Sequence, residues 1–200
     1  MANGTGAVGY AHGMRAFLIL HGWENFRPPG HWQRELAESL AADGERVVYP
    51  QLPDADEPTV DGWRAAAAEA LDEAARDGAR VVVVCHSLAC LLWLGARPGE
   101  TPVERILLVA PPSPRVIAGI PAIAPFAHLP FSRPAADTRI VASDDDPYCP
   151  EGAAAALGDP LGIPVTVIPG GGHLEPTAGY GAWPSVLAWC REPGAELTGR

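Results

Sequence analysis

The stretch Val81-Val82-Val83-Val84-Cys85-His86-Ser87-Leu88-Ala89-Cys90-Leu91-Leu92 constrains this chain more than any other. Four consecutive β-branched residues read as a strand buried on both faces. Ser87 follows between two small flanking positions, Cys85 and Ala89, and Leu88, Leu91, Leu92 and Leu94 continue as a helix. A buried strand that turns sharply through Ser into a helix is a nucleophile elbow. The tight turn lifts the hydroxyl clear of the sheet, and the helix N-terminus behind it offers free N–H groups to a developing oxyanion. The plainer alternative is a Ser that only caps the helix. The residues farther along the chain weigh against it.

Two hundred residues are enough for one domain with a substantial core. An apolar content of 48% with 19% charged residues argues for a compact globule and against disorder. A net charge of −10 disfavours nucleic acid and anionic membranes as partners. Cys85, Cys90, Cys149 and Cys190 form no CxxC pair, so the sequence indicates neither a zinc site nor a disulfide framework. The Gly- and Ala-rich start has no basic residue followed by a sustained apolar core, as a secretory signal would. A cytoplasmic protein is expected, with residues 1–14 as a flexible tail.

Apolar runs and amphipathic stretches alternate along the rest. Strands are expected at Ala16–Leu20, Arg46–Tyr49, Val81–Val84, Arg105–Val109, Arg139–Ala142 and Val165–Ile168. Between them lie helices from about Trp32 to Asp43, around Trp63–Ala74, from the elbow to about Ala96, at Glu151–Leu157, and from Pro184 through Cys190. This order implies a doubly wound, mostly parallel six-stranded sheet covered on both faces, a three-layer α/β fold with right-handed crossovers. One domain is expected over 15–191, with residues 192–200 as a C-terminal tail. Ligands in such sheets bind beyond the carboxyl ends of the strands. Ser87, His21-Gly22, Asp144–Asp146 and His173 all fall there.

Residues 111–136 break the rhythm with seven prolines among six large apolar residues, Phe126 and Phe131 included. The segment is too apolar for a free linker and too proline-rich for a long helix. It reads either as a short cap excursion walling an acyl pocket or as a surface loop with buried anchors.

A Ser nucleophile at neutral pH needs a base, and the base an orienting acid. Downstream of Ser87 the bases are His128, inside the proline-rich segment, and His173, which follows a strand and Gly170-Gly171-Gly172. His173 is the candidate. The acid lies in Ser143-Asp144-Asp145-Asp146-Pro147, where Pro147 restricts the residue before it to extended backbone. Asp146 is the choice and Asp145 the second. Backbone N–H groups of Leu88 and Trp23 are the candidate oxyanion donors. Trp23 and Trp32 join Phe126 and Phe131 as candidate walls of a substrate pocket. His21 is expected to organise its loop and His86 to be structural. No metal ligand set accompanies the Asp run, and no cofactor is implied.

Several of these pieces recur together elsewhere. His31-Trp32-Gln33, His86-Ser87-Leu88, Ser143 through Tyr148, and Gly171–His173 followed by Gly179-Tyr180-Gly181-Ala182-Trp183-Pro184 resemble the small α/β-hydrolases of the retinoblastoma-binding-protein-9 and YdeN type. The likeness runs from Phe17 to Cys190. It implies a minimal α/β-hydrolase fold, a Ser87–Asp146–His173 triad, and esterase or amidase activity on a small acyl ester, thioester or amide, with Cys85 and Ala89 departing from the usual glycines. Two other functions share the scaffold, a protein-interaction module and an acyltransferase with the same triad. An aligned Ser, acid and His argues against pure binding. The partner expected is a small-molecule acyl substrate, and the oligomeric state is left open.

Overall fold

The computed structural model describes residues 14–99 and 101–200. The expected N-terminal tail therefore lies, apart from Met14, outside the described residues. Six strands form one parallel sheet. They are β1 (Arg15–Leu20), β2 (Arg46–Val48), β3 (Arg80–His86), β4 (Val103–Val109), β5 (Asp137–Ser143) and β6 (Val165–Ile168). Their spatial order is β2-β1-β3-β4-β5-β6, so the elbow strand β3 lies inside the sheet between β1 and β4. The α/β, doubly wound architecture read from the sequence is the one observed.

The valine run does what its composition requires. Val81, Val83 and Cys85 point into one core and Val82 and Val84 into the other, all fully buried. On the first face lie α2 (Val60–Ala74) and α3 (Leu88–Gly95), with Trp63, Ala67 and Leu71 carrying the α2 stripe. On the second lie α1 (Trp32–Ala42) and α6 (Pro184–Arg191), through Trp32, Leu36, Leu40, Val186 and Trp189. Each fully buried Val or Leu contributes about 1.5–3 kcal/mol relative to exposure, so both faces of β3 stabilise the strand that carries Ser87. Arg105, on β4, is buried and donates to the Trp189 and Cys190 carbonyls at 3.2 and 2.6 Å, which caps the end of α6.

One expected helix differs, and two further segments take a form the sequence reading did not specify. Glu151–Leu157 is not a regular helix. A π-helical turn spans Ala154–Gly158 and runs into a short α5 (Asp159–Leu161), and Gly158 packs so closely on β6 that a Cβ would lie 2.4 Å from Val165 Cγ2. The proline-rich excursion forms a single α-turn, α4 (Pro114–Ile117), and a 3-10 stretch at Ala124–His128, with Pro at the first or second position of each. Residues 192–200 pack back onto the domain. Leu197 is buried, and the Thr198 carbonyl accepts from Trp183 Nε1 at 2.8 Å. The four cysteines are buried and unpaired, with Cys85 and Cys90 filling core space beside the elbow. No helix among the described residues is long and apolar enough to cross a membrane.

Candidate active site

Ser87 stands at the junction of β3 and α3 with φ 54° and ψ −124°. A non-glycine residue held there costs on the order of 1–3 kcal/mol, and its surroundings must over-determine it. Its N–H donates to the Val109 carbonyl at 2.9 Å, and its own carbonyl accepts from Cys90 N at 2.9 Å. Both flanking positions accommodate side chains, since Cys85 and Ala89 are packed without exposure. The closest approach falls elsewhere. A Cβ on Gly22, in the loop after β1, would lie 2.7 Å from Ser87 Cβ, so the glycine the elbow needs comes from the neighbouring strand's loop. Leu88 N–H is in the first turn of α3, where the helix itself provides no acceptor.

His173 Nε2 lies 2.9 Å from Ser87 Oγ, and His173 Nδ1 faces both Asp146 oxygens at 3.0 and 2.9 Å. Asp146 and His173 are almost wholly buried. Tyr148 N donates to Asp146 Oδ1 at 2.9 Å, and the Tyr148 ring rests 4.6 Å from the imidazole centroid. His86 Nε2 donates to the His173 carbonyl at 3.2 Å from the opposite side. Burial, reinforced by the neighbouring His173 and His31, pushes the His86 pKa well below the ordinary imidazole value. Neutral, it can both donate through Nε2 and stay within the core.

The Asp run divides its work. Asp144 Oδ1 accepts from Gly170 N at 2.8 Å, Ser143 Oγ from Gly171 N at 2.8 Å, and Asp145 Oδ1 from Gly172 N at 2.7 Å. Three successive N–H groups of the glycine loop are thereby tied to three successive side chains at the end of β5. The Ser143 hydroxyl and the Gly172 N–H hold the Asp145 carboxyl below its ordinary pKa. Asp145 is thus engaged with the loop, and Asp146 alone of the three faces the imidazole. Gly170 and Gly172 have φ of 64° and 55°, and a Cβ on Gly171 would meet Leu174 Cδ2 at 2.7 Å, so each glycine is required where it stands.

His21 and His31 close the site from behind. The His21 Nδ1–H donates to Gly22 O at 2.8 Å and Nε2 accepts from Leu52 N at 2.8 Å, so His21 organises its loop as expected. His31 caps α1 through Nδ1, accepting from Gln33 N, and its ring lies 5.6 Å from that of His86.

A cavity of about 330 Å³ opens over Ser87 and His173. Its apolar lining includes Trp23, Leu88, Ile117, Ile123 and Tyr148, and its charged lining is Glu24 and Glu175. Of the expected pocket residues, Trp23 is there. Trp32, Phe126 and Phe131 are not, and those three assignments are corrected. Trp32 is buried beneath the site, edge-on to Trp183 at 5.5 Å and to His86 at 5.6 Å. Phe126 is fully buried against Trp63 at 5.5 Å, and Phe131 packs over Gly95. The excursion does wall the cavity, but with Ile117 and Ile123, because its prolines break it into turns that send the phenylalanines inward. Sequence reasoning also missed Tyr148, Glu24 and Glu175. The Asp-Pro-Tyr run signalled the first, since a turn after Asp146 brings the next residues back over its carboxylate.

The family model for serine hydrolase matches residues 17–192. No curated protein matches the chain in sequence. Among solved structures, a protein described as a YdeN-like hydrolase from Pectobacterium atrosepticum is 19% identical, with a TM-score of 0.69 and 90% of each chain covered. The ydeN gene product from B. subtilis is 20% identical, with a TM-score of 0.67, covering 89% of this chain and 97% of its own. Est1E from Butyrivibrio proteoclasticus is 15% identical, with a TM-score of 0.58 and 80% of each chain covered. At these identities the likeness is one of fold.

Proposed function

The chain belongs to the serine hydrolase family, and from that membership we propose that it cleaves small acyl esters, thioesters or amides through an acyl-enzyme on Ser87. The observation that carries this reading is the unbroken hydrogen-bonded line from Ser87 Oγ through His173 to Asp146 at the floor of the cavity. Ser87 Oγ attacks the carbonyl carbon and its proton passes to His173 Nε2. Asp146 holds Nδ1–H and stabilises the imidazolium. The tetrahedral oxyanion is taken up by the N–H groups of Leu88 and Trp23. As the carbon–heteroatom bond breaks, Nε2 returns the proton to the leaving group. Water then attacks the acyl-enzyme, gives its proton to Nε2, and the acid departs as Ser87 Oγ is reprotonated. Acyl preference is set by Leu88, Ile117 and Ile123, which give the cavity its apolar wall.

A fluorophosphonate probe together with p-nitrophenyl butyrate tests the reading. The native protein is expected to hydrolyse the ester and to be labelled at Ser87, and Ser87→Ala to lose both with its melting temperature retained. A Ser87→Ala protein that kept more than a few per cent of the hydrolysis would remove Ser87 as the nucleophile. An unlabelled, inactive native protein would favour a binding module on the same scaffold.

A further inference from the structure

We propose that this site selects esters whose leaving alcohol carries an ammonium group, with Glu24 and Glu175 as the specificity-determining residues. The inference rests on the acyl-enzyme reading above and names the substrate class for that same cavity. Two observations lead to it. Glu24 and Glu175 are the acidic side chains lining the cavity over Ser87, and among its described lining residues none is Lys or Arg. They also come from different segments, Glu24 from the loop after β1 and Glu175 from the turn two residues beyond His173. Neither carboxylate forms a salt bridge among the described residues, whereas Arg115 on α4 of the excursion is already paired with Glu151. Glu175 Oε1 accepts from Thr177 Oγ1 at 2.8 Å, which orients one carboxylate oxygen and leaves the other free to meet a ligand.

The side of the cavity matters. A leaving group must sit beside His173 Nε2 to receive its proton, and Glu175 lies two residues beyond His173 in the chain and lines the same cavity. Tyr148, whose ring lies 4.6 Å from the imidazole at an interplanar angle of 53°, lines that cavity together with both glutamates. In this proposal the two carboxylates flank the leaving group, while Ile117 and Ile123 line the wall suited to an apolar acyl chain. Trp23 and Tyr148 add aromatic surface to the same cavity, and an ammonium group is attracted both to ring faces and to carboxylates. An anionic leaving group would meet two like charges there.

Three butyryl esters separate charge from shape, namely butyrylcholine, its uncharged isostere 3,3-dimethylbutyl butyrate, and an ester of glycolate. At low salt the native protein is expected to favour the choline ester over the isostere by about 10-fold in kcat/KM, with the glycolate ester slowest. That ratio should shrink at ~1 M salt, where the screening length is about 3 Å. Glu24→Gln and Glu175→Gln should each lower it, and together bring it toward one. Fluorophosphonate labelling of Ser87 checks that each variant is folded, and the salt dependence of the native protein decides the matter even where a variant fails. Equal rates on the choline ester and its isostere, with Ser87 still labelled, would overturn this proposal while leaving the acyl-enzyme reading standing. A protein that cleaves none of the three and resists labelling would overturn both.

Discussion

Ser143 Oγ accepts the backbone N–H of Gly171 at 2.8 Å, two residues before His173. The imidazole thus takes its position from the end of β5 as well as from its own strand. Ser143 also donates to Asp145, whose carboxylate holds Gly172 N, so one hydroxyl ties Gly171 directly and Gly172 through Asp145 to the sheet. Ser143→Ala leaves the buried Gly171 N–H unpaired, at a cost of about 1–3 kcal/mol. A loss of that size lowers the melting temperature of a chain this long by roughly 2–4 °C per kcal/mol. The kinetic effect should be larger, because a displacement of about 1 Å at a reacting group costs on the order of 100-fold. A fall in kcat with little change in KM is therefore expected. A variant with the lower melting temperature and native kcat would make the latch purely structural.

The neighbouring carboxylates should separate by size of effect. Asp146→Asn presents His173 Nδ1 with a side chain able to favour the wrong tautomer, and kcat should fall by on the order of 10⁴-fold. Asp145→Asn keeps an oxygen that can accept from Gly172 N, so about a 10-fold loss or less is expected. Parallel measurement of kcat in the two variants checks this, and a larger loss at Asp145 would relocate the acid.

This pair also shows where the sequence ran out of information. Val81–Val84 was legible because four β-branched residues in a row can be satisfied only by a strand with a core on each side, and both cores are there. Ser87 and His173 were legible because chain order and a preceding strand restrict where each can sit. Asp144, Asp145 and Asp146 are chemically identical, and what distinguishes them is the turn that sends two toward the glycine loop and one toward the imidazole. Only Pro147, by restricting Asp146, leaves a trace of that turn in the sequence. The excursion was less legible still. Its Ile and Phe residues are equally apolar, and its two short turns have no sustained period to show which face is inward.

Buried neutral imidazoles make stability depend on pH. Burial lowers His21 and His31 from the ordinary 6.5 to about 4, and His86 shifts the same way. The fold therefore favours the uncharged forms, and their stabilisation is complete above about pH 6.5. As pH falls from there toward 4, the unfolded chain binds protons that the folded one refuses, so unfolding becomes easier. At about 1.4 kcal/mol per pKa unit, each of His21 and His31 accounts for on the order of 3 kcal/mol over that window. Urea unfolding at a series of pH values should show the free energy falling steeply between 6.5 and 4, with His21→Asn reducing the slope by about one proton. A flat profile would mean that the histidines are solvated in the folded state.

Ile117 and Ile123 line the cavity, whereas Phe126, three residues beyond Ile123, is fully buried against Trp63. Truncation in the one excursion should therefore have two different consequences. Ile117→Ala and Ile123→Ala enlarge the apolar wall, and the preference among acyl chain lengths should move toward longer chains. One lost apolar contact is worth about 1–3 kcal/mol of discrimination, or roughly 10- to 200-fold in relative kcat/KM. Phe126→Ala removes a packed ring from a core that cannot close over the void, at about 3–5 kcal/mol, and should lower the melting temperature while leaving the order of acyl preference intact. A panel of p-nitrophenyl esters from acetyl to octanoyl, measured beside thermal unfolding, separates the two. If Phe126→Ala reordered the chain-length preference and Ile123→Ala only lowered the melting temperature, the acyl wall would lie on the 3-10 stretch rather than on the turns before it.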